Sequence, residues 1–391
     1  MPNKDRNIPK RRFKEFENAD AWELRKLVNE VLFVGTGKSK FSALEFGEFE
    51  ILGSTSVIGY DNSYDYEGDF ILTARVGANA GELYRHSGKV KISDNTVFIQ
   101  GDGLDFIFYI LQHFDIKKLS FGTGQPLVKA SELKELKILM PVSVKERKHV
   151  GTFFSTLDRH ITLHQRKLDK LKSVKQAYLS EMFPAEGERV PKRRFPRFTD
   201  AWELRKLGEI STHRSGTAIE NHFSEDGKYK VISIGSYGLD NKYIDQKIRA
   251  VENEVTRSKV VNKNELTMVL NDKTANGNII GRCLLIEADD EFVINQRTEI
   301  ISFNSVIYPK FAYVVLNGAF REQVKKIVQG GTQIYVNYSS VEKLYLSLPT
   351  LAEQEAIGTF FSTLDQHITL HQRKLEKLKN LKKALLNELF V

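Results

Sequence analysis

The stretch GTFFSTLDRHITLHQRKLDKLK at residues 151–172 recurs as GTFFSTLDQHITLHQRKLEKLK at residues 358–379. Over the first eighteen positions the two copies differ only at Arg159 and Gln366. Both copies repeat apolar residues at the a and d positions of successive heptads, a pattern typical of a helix that packs along a second helix. The sequence therefore predicts two long helices with equivalent apolar seams.

The predicted seams match position by position, and Lys175 and Lys382 interrupt them at the same place. A helix of this kind spans roughly 50 Å at 1.5 Å per residue, too long for one small domain to cover, so each seam is expected to pack on the other. The two histidines of the seams predict a polar contact that fixes the register rather than a metal site. The predicted seam residues are Phe154, Leu157, Ile161, His164, Leu168, Leu171 and Tyr178 in the first helix, and Phe361, Leu364, Ile368, His371, Leu375, Leu378 and Leu385 in the second.

A second repeat precedes each helix at a distance. PKRRFKEFENADAWELRKL at residues 9–27 matches PKRRFPRFTDAWELRKL at residues 191–207. The shared AWELRKL is displaced by 201 − 21 = 180 positions and the helix by 358 − 151 = 207, so the second copy has 27 more residues in between. Residues 28–120 and 208–329 share almost nothing. Repeated flanks around unlike middles indicate one scaffold that carries two differently specialised modules.

The chain is expected to be a mixed α/β (α+β) protein, because its modules contain short strand-like runs, such as TEIISF at residues 298–303, together with amphipathic helix patterns at residues 105–114 and 310–320. The first module feeds into the start of the first helix and the second module begins beyond its far end, so the second helix must run back antiparallel to pack on the first. The prediction is two pseudo-twofold-related globular domains separated by an antiparallel pair of long coiled-coil helices. The expected segments are a first globular domain (1–149), a first long helix (150–183), a linker (184–200), a second globular domain (201–356) and a second long helix (357–391).

Composition narrows the class of protein. The chain has 391 residues with 58 Lys and Arg against 50 Asp and Glu, a net charge of +8, which favours a polyanionic partner without demonstrating one. No apolar run approaches the roughly 20 residues that cross a bilayer, so a cytoplasmic protein is expected. The single cysteine, Cys283, excludes an internal disulfide or a cysteine-based zinc site and is predicted to be a buried thiol.

Motifs for catalysis are weak. GTGKS at residues 35–39 resembles a phosphate-binding loop, but Leu32 stands where that loop requires glycine. GANAG at residues 77–81 follows a strand pattern but precedes no helical one, so a dinucleotide site is not expected. The nine histidines do not cluster at metal-ligand spacing. The Glu-x-Lys pairs within residues 132–137 could belong to a nuclease but fit a solvated turn better. No catalytic residue, metal or cofactor is predicted on this chain.

What remains is chemistry suited to reading DNA. Arg and Lys pair with guanine edges or phosphates, and Asn and Gln pair with adenine. Such residues, with tyrosines, lie in or beside the turns of both modules. The candidates are Lys38, Lys40, Tyr60, Tyr64, Arg75, Asn79, Tyr84 and Gln125 in the first module, and Arg214, Lys228, Tyr237, Arg257, Lys273, Asn276, Asn278, Arg282, Arg297 and Gln333 in the second.

Several features together resemble the specificity subunit of type I restriction-modification enzymes. They are the duplicated AWELRKL, the two divergent modules, the segments that end in ILMP and SLP, FVINQR at residues 292–297 and PTLAEQEAIGTFFSTLD at residues 349–365. The resemblance covers essentially the whole chain. The first copy departs from the pattern at PVSVKERKHVGTFF (residues 141–154), which is basic where the second copy is acidic.

The resemblance implies a non-catalytic subunit whose two target recognition domains each read one half of a bipartite site in double-stranded DNA. The paired helices would set the gap between the halves and dock two modification subunits, which bind S-adenosylmethionine and methylate adenine. Restriction subunits would add ATP- and Mg-dependent translocation and cleavage. The alternative is a stand-alone bipartite DNA-binding regulator, which would not need such long and closely matched flanks.

Overall fold

The computed structural model describes residues 7–38, 43–119 and 126–391. The chain divides into two compact units: unit 1 comprises Met1–Arg166 with Gln372–Val391, and unit 2 comprises Lys167–His371. Each unit therefore contains one module, the first part of one long helix and the last part of the other. This division differs from the predicted segments, because the ends of the long helices belong to the cores of the modules.

Unit 1 is built on a six-stranded sheet in the order β2-β7-β5-β6-β3-β4, in which β3 and β6 are parallel and the other neighbours antiparallel. A separate pair, β1 and β8, is antiparallel. The elements of unit 1 are β1 (Glu23–Lys26), β2 (Phe33–Thr36), β3 (Phe49–Leu52), β4 (Val57–Asp61), β5 (Tyr66–Ala74), β6 (Leu83–Ile92), β7 (Thr96–Gln100), α1 (Asp105–Phe114), α2 (Ala130–Glu135), β8 (Lys137–Met140) and the start of α3 (Val144–Glu181), with 3-10 turns at Lys14–Phe16, Leu27–Asn29 and Ile116–Leu119.

Unit 2 contains a four-stranded sheet β10-β18-β14-β16, a second four-stranded sheet β12-β11-β17-β13, a three-stranded sheet β15-β20-β19 and the pair β21-β9. Besides the end of α3, its elements are β9 (Glu203–Lys206), α4 (Leu207–Ile210), β10 (Ser211–Ser215), β11 (Tyr229–Ile232), β12 (Arg249–Ala250), α5 (Glu254–Arg257), β13 (Val260–Val261), β14 (Leu266–Val269), β15 (Asn271–Asp272), β16 (Cys283–Leu285), β17 (Phe292–Ile294), β18 (Thr298–Phe303), α6 (Pro309–Asn317), α7 (Ala319–Lys326), β19 (Gln329–Gly330), β20 (Ile334–Tyr335), α8 (Tyr338–Val341), β21 (Tyr345–Leu348) and the start of α9 (Leu351–Leu389), with 3-10 turns at Glu220–His222 and Ile234–Ser236.

The two units share a strand order despite their unlike sequences. The series β2-β7-β5-β6 of unit 1 corresponds to β10-β18-β14-β16 of unit 2, and the pair β1-β8 corresponds to β9-β21. The units differ in what they add: unit 1 extends its sheet with β3 and β4, whereas unit 2 forms the separate sheet of β11, β12, β13 and β17. The extra residues of the second module are thus used for a second small sheet. The mixed helix and strand class is confirmed.

Both predicted long helices are present, as α3 and α9, and their predicted seam residues are on the buried side of each helix. In unit 1, Phe154 of α3 stacks on Phe390 at 5.6 Å between ring centroids, and Asp158 pairs with Lys382 at 2.7 Å. From the first of these contacts to the second, the residue number rises along α3 and falls along the C-terminal segment of the chain. The two segments are therefore antiparallel. Of the seam positions, all are buried or half-buried and none is exposed. The helices begin at Val144 and Leu351, some residues before the predicted starts, because the helical turns preceding the identical stretch are not themselves repeated.

Unit 2 repeats this arrangement with the roles of the helices exchanged. Lys175 of α3 pairs with Asp365 of α9 at 2.6 Å, and Phe183 lies 6.0 Å from Phe361. Lys175 corresponds to Lys382, the two lysines that interrupt the apolar stripe. Each lysine is half-buried and neutralised by an aspartate of the facing helix, so the interruption is itself part of the pairing. His371 is buried in unit 2; the predicted register contact of His164 and His371 stays a prediction.

The start of each long helix is fixed by a buried ion pair. Arg12 donates through Nε and Nη2 to both carboxylate oxygens of Glu146, each at 2.7 Å. In unit 2, Arg194 donates in the same way to Glu353 at 2.6 and 2.7 Å. Both glutamates are almost wholly buried, at 1% and 0% side-chain exposure. The repeated PKRRF segments therefore anchor the helix starts equally, although the flanking charges of the first copy are basic.

Gly151 and Gly358 explain why glycine opens the repeated helical stretch. A Cβ atom at Gly151 would lie 2.8 Å from the backbone nitrogen of Phe106 in α1. A Cβ at Gly358 would lie 2.7 Å from the backbone nitrogen of Phe311 in α6. A short helix therefore crosses each long helix at backbone contact, and only glycine leaves room for it.

Several other sequence expectations are confirmed. The helix expected at residues 105–114 is α1, whose six central residues are buried and which ends where Asp115 adopts a left-handed conformation at φ 57°. The run TEIISF is β18. The helix expected at residues 310–320 is divided at Gly318 into α6 and α7. Cys283 is wholly buried, and burial raises the pKa of its thiol.

Candidate nucleic-acid interface

In unit 2 a polar cleft of about 600 Å³ lies beside the three-stranded sheet β15-β20-β19. The turn between β17 and β18, the loop after β10 and the segment from β20 to α8 form its walls. Most of its lining side chains are polar. They are His213, Ser215, Gly216, Thr217, Ala218, Leu270, Asn271, Gln296, Arg297, Thr298, Glu299, Tyr335, Val336, Asn337, Tyr338 and Ser339.

Arg297 is the last residue of FVINQR and lies in the turn between β17 and β18. Its backbone is in the left-handed region at φ 67°, which a non-glycine residue rarely adopts. The conformation is held because the Arg297 carbonyl accepts a hydrogen bond from the amide of Leu270 at 2.9 Å, and Thr298 donates its hydroxyl to the Asn295 carbonyl at 2.5 Å. The Arg297 side chain is exposed. The strained turn therefore presents a guanidinium at the edge of the cleft, an arrangement often found at functional sites.

The loop after β15 carries Lys273, Asn276 and Asn278, all exposed. Asp272 closes this loop by accepting hydrogen bonds from the amides of Thr274 at 3.0 Å and Ile279 at 2.8 Å. Burial opposes ionisation of Asp272, but these amide donors outweigh it and hold the pKa of the carboxyl below its usual value. The loop is therefore closed around one buried carboxylate.

A buried arginine braces the same loop from beneath. Arg321 of α7 is 6% exposed and donates to the carbonyls of Gly277 and Asn278 at 2.8 and 2.9 Å, and to that of Ile280 at 2.9 Å. Burial lowers the pKa of its guanidinium. The positive charge of Arg321 is compensated here by the partial negative charges of backbone carbonyl oxygens. The conformation of the loop and the burial of Arg321 therefore depend on each other. The exposed residues of the loop are thus presented on a rigid support.

The loops of the two units are equivalent in backbone terms. Three hydrogen bonds that hold the unit 2 cleft have counterparts in unit 1 with nearly the same lengths. In unit 1 they join Gly37 N to Thr96 O at 3.0 Å, Arg75 N to Asn95 O at 2.9 Å and Val128 N to Arg75 O at 2.8 Å, and in unit 2 Gly216 N to Thr298 O at 2.9 Å, Leu270 N to Arg297 O at 2.9 Å and Val336 N to Leu270 O at 2.9 Å.

This correspondence locates the matching surface of unit 1. It contains Lys38, Arg75 and Asn79, all exposed, in the loops after β2 and β5. Thr73 supports the second loop, because its hydroxyl accepts a hydrogen bond from the Gly81 amide at 2.9 Å. The same backbone frame therefore presents different side chains in the two units. Lys40 and Gln125 lie outside the described residues.

The structure separates the predicted DNA-contacting residues into two groups. Eleven of the described candidates are exposed, and most of those lie in the loops just described. Tyr60 is half-exposed on β4 at the edge of the unit 1 sheet. The exposed candidates are Lys38, Tyr64, Arg75, Asn79, Arg257, Lys273, Asn276, Asn278, Arg297 and Gln333, to which Lys228 adds an eleventh, ion-paired side chain.

Other candidates serve the fold. The prediction for Tyr237 is wrong, because its ring is 3% exposed in the core of unit 2. Arg214 donates from Nη2 to both carboxylate oxygens of Glu265, at 3.0 and 2.9 Å, and from Nη1 to the carbonyl of Ser258 at 3.3 Å.

Four further candidates are held by neighbours. The Tyr84 hydroxyl donates to the carbonyl of Gly53, and burial raises its pKa. Lys228 pairs with Asp290 at 2.6 Å and Glu252 at 3.1 Å, and Arg257 shares Glu252 at 3.1 Å. Arg282 donates to the carbonyl of Asn278 at 2.7 Å and to the side chain of Asn241. These bonds satisfy the charged groups within the protein, so they are weaker candidates for contact with DNA.

The sequence analysis did not identify the cleft residues His213, Asn271 and Asn337. It also did not identify Arg321, which supports the loop after β15. No local motif marks them, since they lie on different strands and helices that only the fold brings together. Gln296 had a signal, because it precedes Arg297 within FVINQR.

The arrangement provides hydrogen-bond donors, acceptors and cations but no catalytic constellation that we can identify in the described part of the chain. Over residues 7–38, 43–119 and 126–391, histidine, cysteine and carboxylate side chains form no group that could hold a metal ion. Within those same ranges, no helix is both long and apolar enough to cross a membrane.

These features define a duplicated recognition protein, with two related units that present different polar loops on one backbone frame. The chain belongs to the family of the type I restriction modification DNA specificity domain, whose model matches residues 21–173 and 199–380. Both matches coincide with the module and helix repeats found in the sequence.

Individual relatives agree with this assignment. The chain is 24% identical over 333 residues to the type I restriction enzyme MjaVIII specificity subunit of Methanocaldococcus jannaschii, covering 81% of this chain and 77% of the relative. It is 23% identical over 174 residues to the EcoprrI specificity subunit of Escherichia coli, covering 41% and 43% of the two chains. The crystal structure of a type I restriction-modification system S subunit from M. genitalium has a similar fold, with a TM-score of 0.69 and 17% identity over 98% of this chain and 99% of that one.

Proposed function

We propose that this chain is the DNA-recognition subunit of a type I restriction-modification complex and that each unit reads one half of a bipartite duplex site. The observation that carries the proposal is the family match over both units, together with equivalent loops that bear unlike side chains. Unlike side chains on a common frame suit two different half-sites. A stand-alone DNA-binding regulator finds no support in these comparisons.

The division of labour follows from the types of residue. Lysines such as Lys38 and Lys273 suit phosphate contacts, which contribute affinity without sequence preference. Arg75 and Asn79 in unit 1, and Asn276 and Arg297 in unit 2, suit base edges because arginine pairs with guanine and asparagine with adenine. The net charge of +8 supports binding to a polyanion.

The repeated helices suit protein partners. The same buried Arg–Glu pair anchors the start of α3 in unit 1 and of α9 in unit 2, and the helices that follow have near-identical sequences, which supports two equivalent surfaces for two copies of one partner. We propose that two methyltransferase subunits use them, that the helices set the gap between the half-sites, and that restriction subunits join the assembly. S-adenosylmethionine, ATP and Mg bind to those partners in this proposal, and this chain carries out no chemistry.

Exchange of one module tests the proposal. Residues 28–120 are replaced by the corresponding segment of another family member, and the methylation pattern of cells that express the chain with its methyltransferase is sequenced. We expect one half of the methylated site to change and the other half to persist, because the loops of unit 2 are untouched. A change in both halves, or methylation that does not depend on this chain, would contradict the proposal.

A further inference from the structure

One polar cluster distinguishes the cleft of unit 2 from the matching surface of unit 1. The equivalent strand pairs β10-β18 and β2-β7 have the same register: Ser215 faces Glu299 in unit 2, and Thr36 faces Val97 in unit 1. His213, two residues before Ser215, therefore corresponds to Val34. Unit 1 has two buried valines at the places where unit 2 has a histidine and a glutamate.

The histidine is held firmly. Its Nδ1 lies 2.6 Å from Oε1 of Glu299, and the same oxygen accepts a hydrogen bond from the Ser215 hydroxyl at 2.8 Å. The imidazole also packs against the ring of Tyr338 at 4.4 Å between centroids. The side chain of Glu299 is 2% exposed, whereas that of His213 is 42% exposed. A buried carboxylate and a buried ring thus fix an imidazole that still reaches solvent at the cleft.

This geometry determines what the exposed nitrogen can do. Oε1 of Glu299 accepts the hydrogen of the Ser215 hydroxyl and also faces Nδ1 of His213, which suits an ionised carboxylate, since such a group offers only acceptors. Nδ1 is then the ring nitrogen that carries the hydrogen, and in the neutral tautomer that this contact selects, Nε2 is an acceptor. Because Glu299 and Tyr338 fix the ring, this acceptor is preorganised and loses little freedom when it binds. A ring that merely filled space would not need a buried carboxylate beneath it.

We propose that His213 is a specificity-determining residue of unit 2 and accepts a hydrogen bond through Nε2 from an exocyclic amino group of a DNA base. Adenine N6 and cytosine N4 present such a donor in the major groove. Glu299 is the positioning residue that sets the tautomer. The inference rests on the proposed function and adds one contact that only the half-site read by unit 2 receives.

The test selects ligands for the full-length chain from a random duplex DNA library, followed by affinity measurements on the enriched site. His213→Ala is compared with His222→Ala, a matched control in the same unit that does not line the cleft. The paired substitution His213→Val with Glu299→Val installs the residues found in unit 1, so it leaves no buried charge without a partner.

We expect both His213 variants to lose the preference at one base position of one half-site. Their affinity for the site with adenine or cytosine there should fall about tenfold, or ~1.4 kcal/mol, while that for the other bases is unchanged. The base whose preference is lost identifies the amino group. The His222 variant should retain the original preference.

Three results would overturn the inference. The first is an unchanged preference in both His213 variants, which would make the histidine a structural residue. The second is an equal loss of affinity for all sequences, which indicates a phosphate contact or misfolding. The third is enrichment of no bipartite site by the unsubstituted chain, which would reject the proposed function itself and this inference with it.

Discussion

Phe390 completes the core of unit 1 from the end of the second long helix, and its removal should destabilise that unit alone. The side chain is 2% exposed. Its ring stacks on Phe154 at 5.6 Å and lies 5.4 Å from Phe106 and 6.1 Å from Trp22. These three partners come from the helix α3, the helix α1 and the repeated AWELRKL segment, so one ring joins three elements.

Phe390→Ala should reduce the free energy of unfolding of unit 1 by roughly 3–5 kcal/mol, because it leaves a cavity among rings that cannot close around it. For a domain of 150–250 residues, each kcal/mol lowers Tm by about 2–4 °C, so a fall of roughly 6–20 °C follows. Phe183 holds the corresponding place in unit 2, where it packs on Trp202 at 5.9 Å and is 9% exposed. Phe183→Ala should therefore destabilise unit 2 by a similar or somewhat smaller amount.

Hydrogen exchange resolved by peptide, in low urea, measures the two units separately. Peptides from β5 report on unit 1 and peptides from β18 on unit 2. Leu381→Ala is the matched control, since Leu381 is 44% exposed on α9, the helix that ends just before Phe390, and its loss should change stability by less than about 0.5 kcal/mol. If Phe390→Ala left the exchange of β5 unchanged, or accelerated β5 and β18 equally, the assignment of this ring to the core of unit 1 would be refuted.

Two further predictions concern the helix pair. Asp158→Lys should lower the stability of unit 1 by about 1–3 kcal/mol, because it places a second positive charge beside the half-buried Lys382. Adding Lys382→Asp should restore most of the loss, since the pair is then reversed. Urea unfolding measures both variants, and the absence of recovery in the double variant would contradict a specific pair. A chain truncated to residues 1–190 lacks the second long helix and should form a twofold dimer. The first long helix of one copy can take the place of the missing helix in the other, because the two helices are nearly identical. Sedimentation of a well-folded monomer at micromolar concentration would argue against this prediction.

The sequence alone determined the duplication and the helix pair. Side chains on a helix recur with a fixed period, so the identical seam at Phe154 and Phe361 could be recognised without coordinates. The connectivity then required the second helix to run back along the first. The lysines at positions 175 and 382 looked like interruptions of the stripe, and only the structure shows that each one meets an aspartate of the facing helix.

The candidate interface was only partly predictable. Exposed residues in turns, such as Arg75 and Lys273, could be proposed because turns lie at the surface. Tyr237 was misassigned, because a tyrosine beside a glycine has no sequence signal that separates a core ring from a surface one. The pairing of the candidate Arg214 with Glu265 could not be foreseen, because the two residues are distant in sequence and become neighbours only through the packing of strands.

Only the tertiary structure shows that the two modules share a backbone arrangement. Residues 28–120 and 208–329 share almost no sequence, yet equivalent loops are held by the same backbone hydrogen bonds, such as Gly37 to Thr96 and Gly216 to Thr298. Backbone amides and carbonyls are common to nearly all residue types, so a frame built from them leaves little trace in the sequence. The side chains on that frame were free to diverge, which is why His213 and Glu299 replace two valines and why their meeting is visible only in the folded chain.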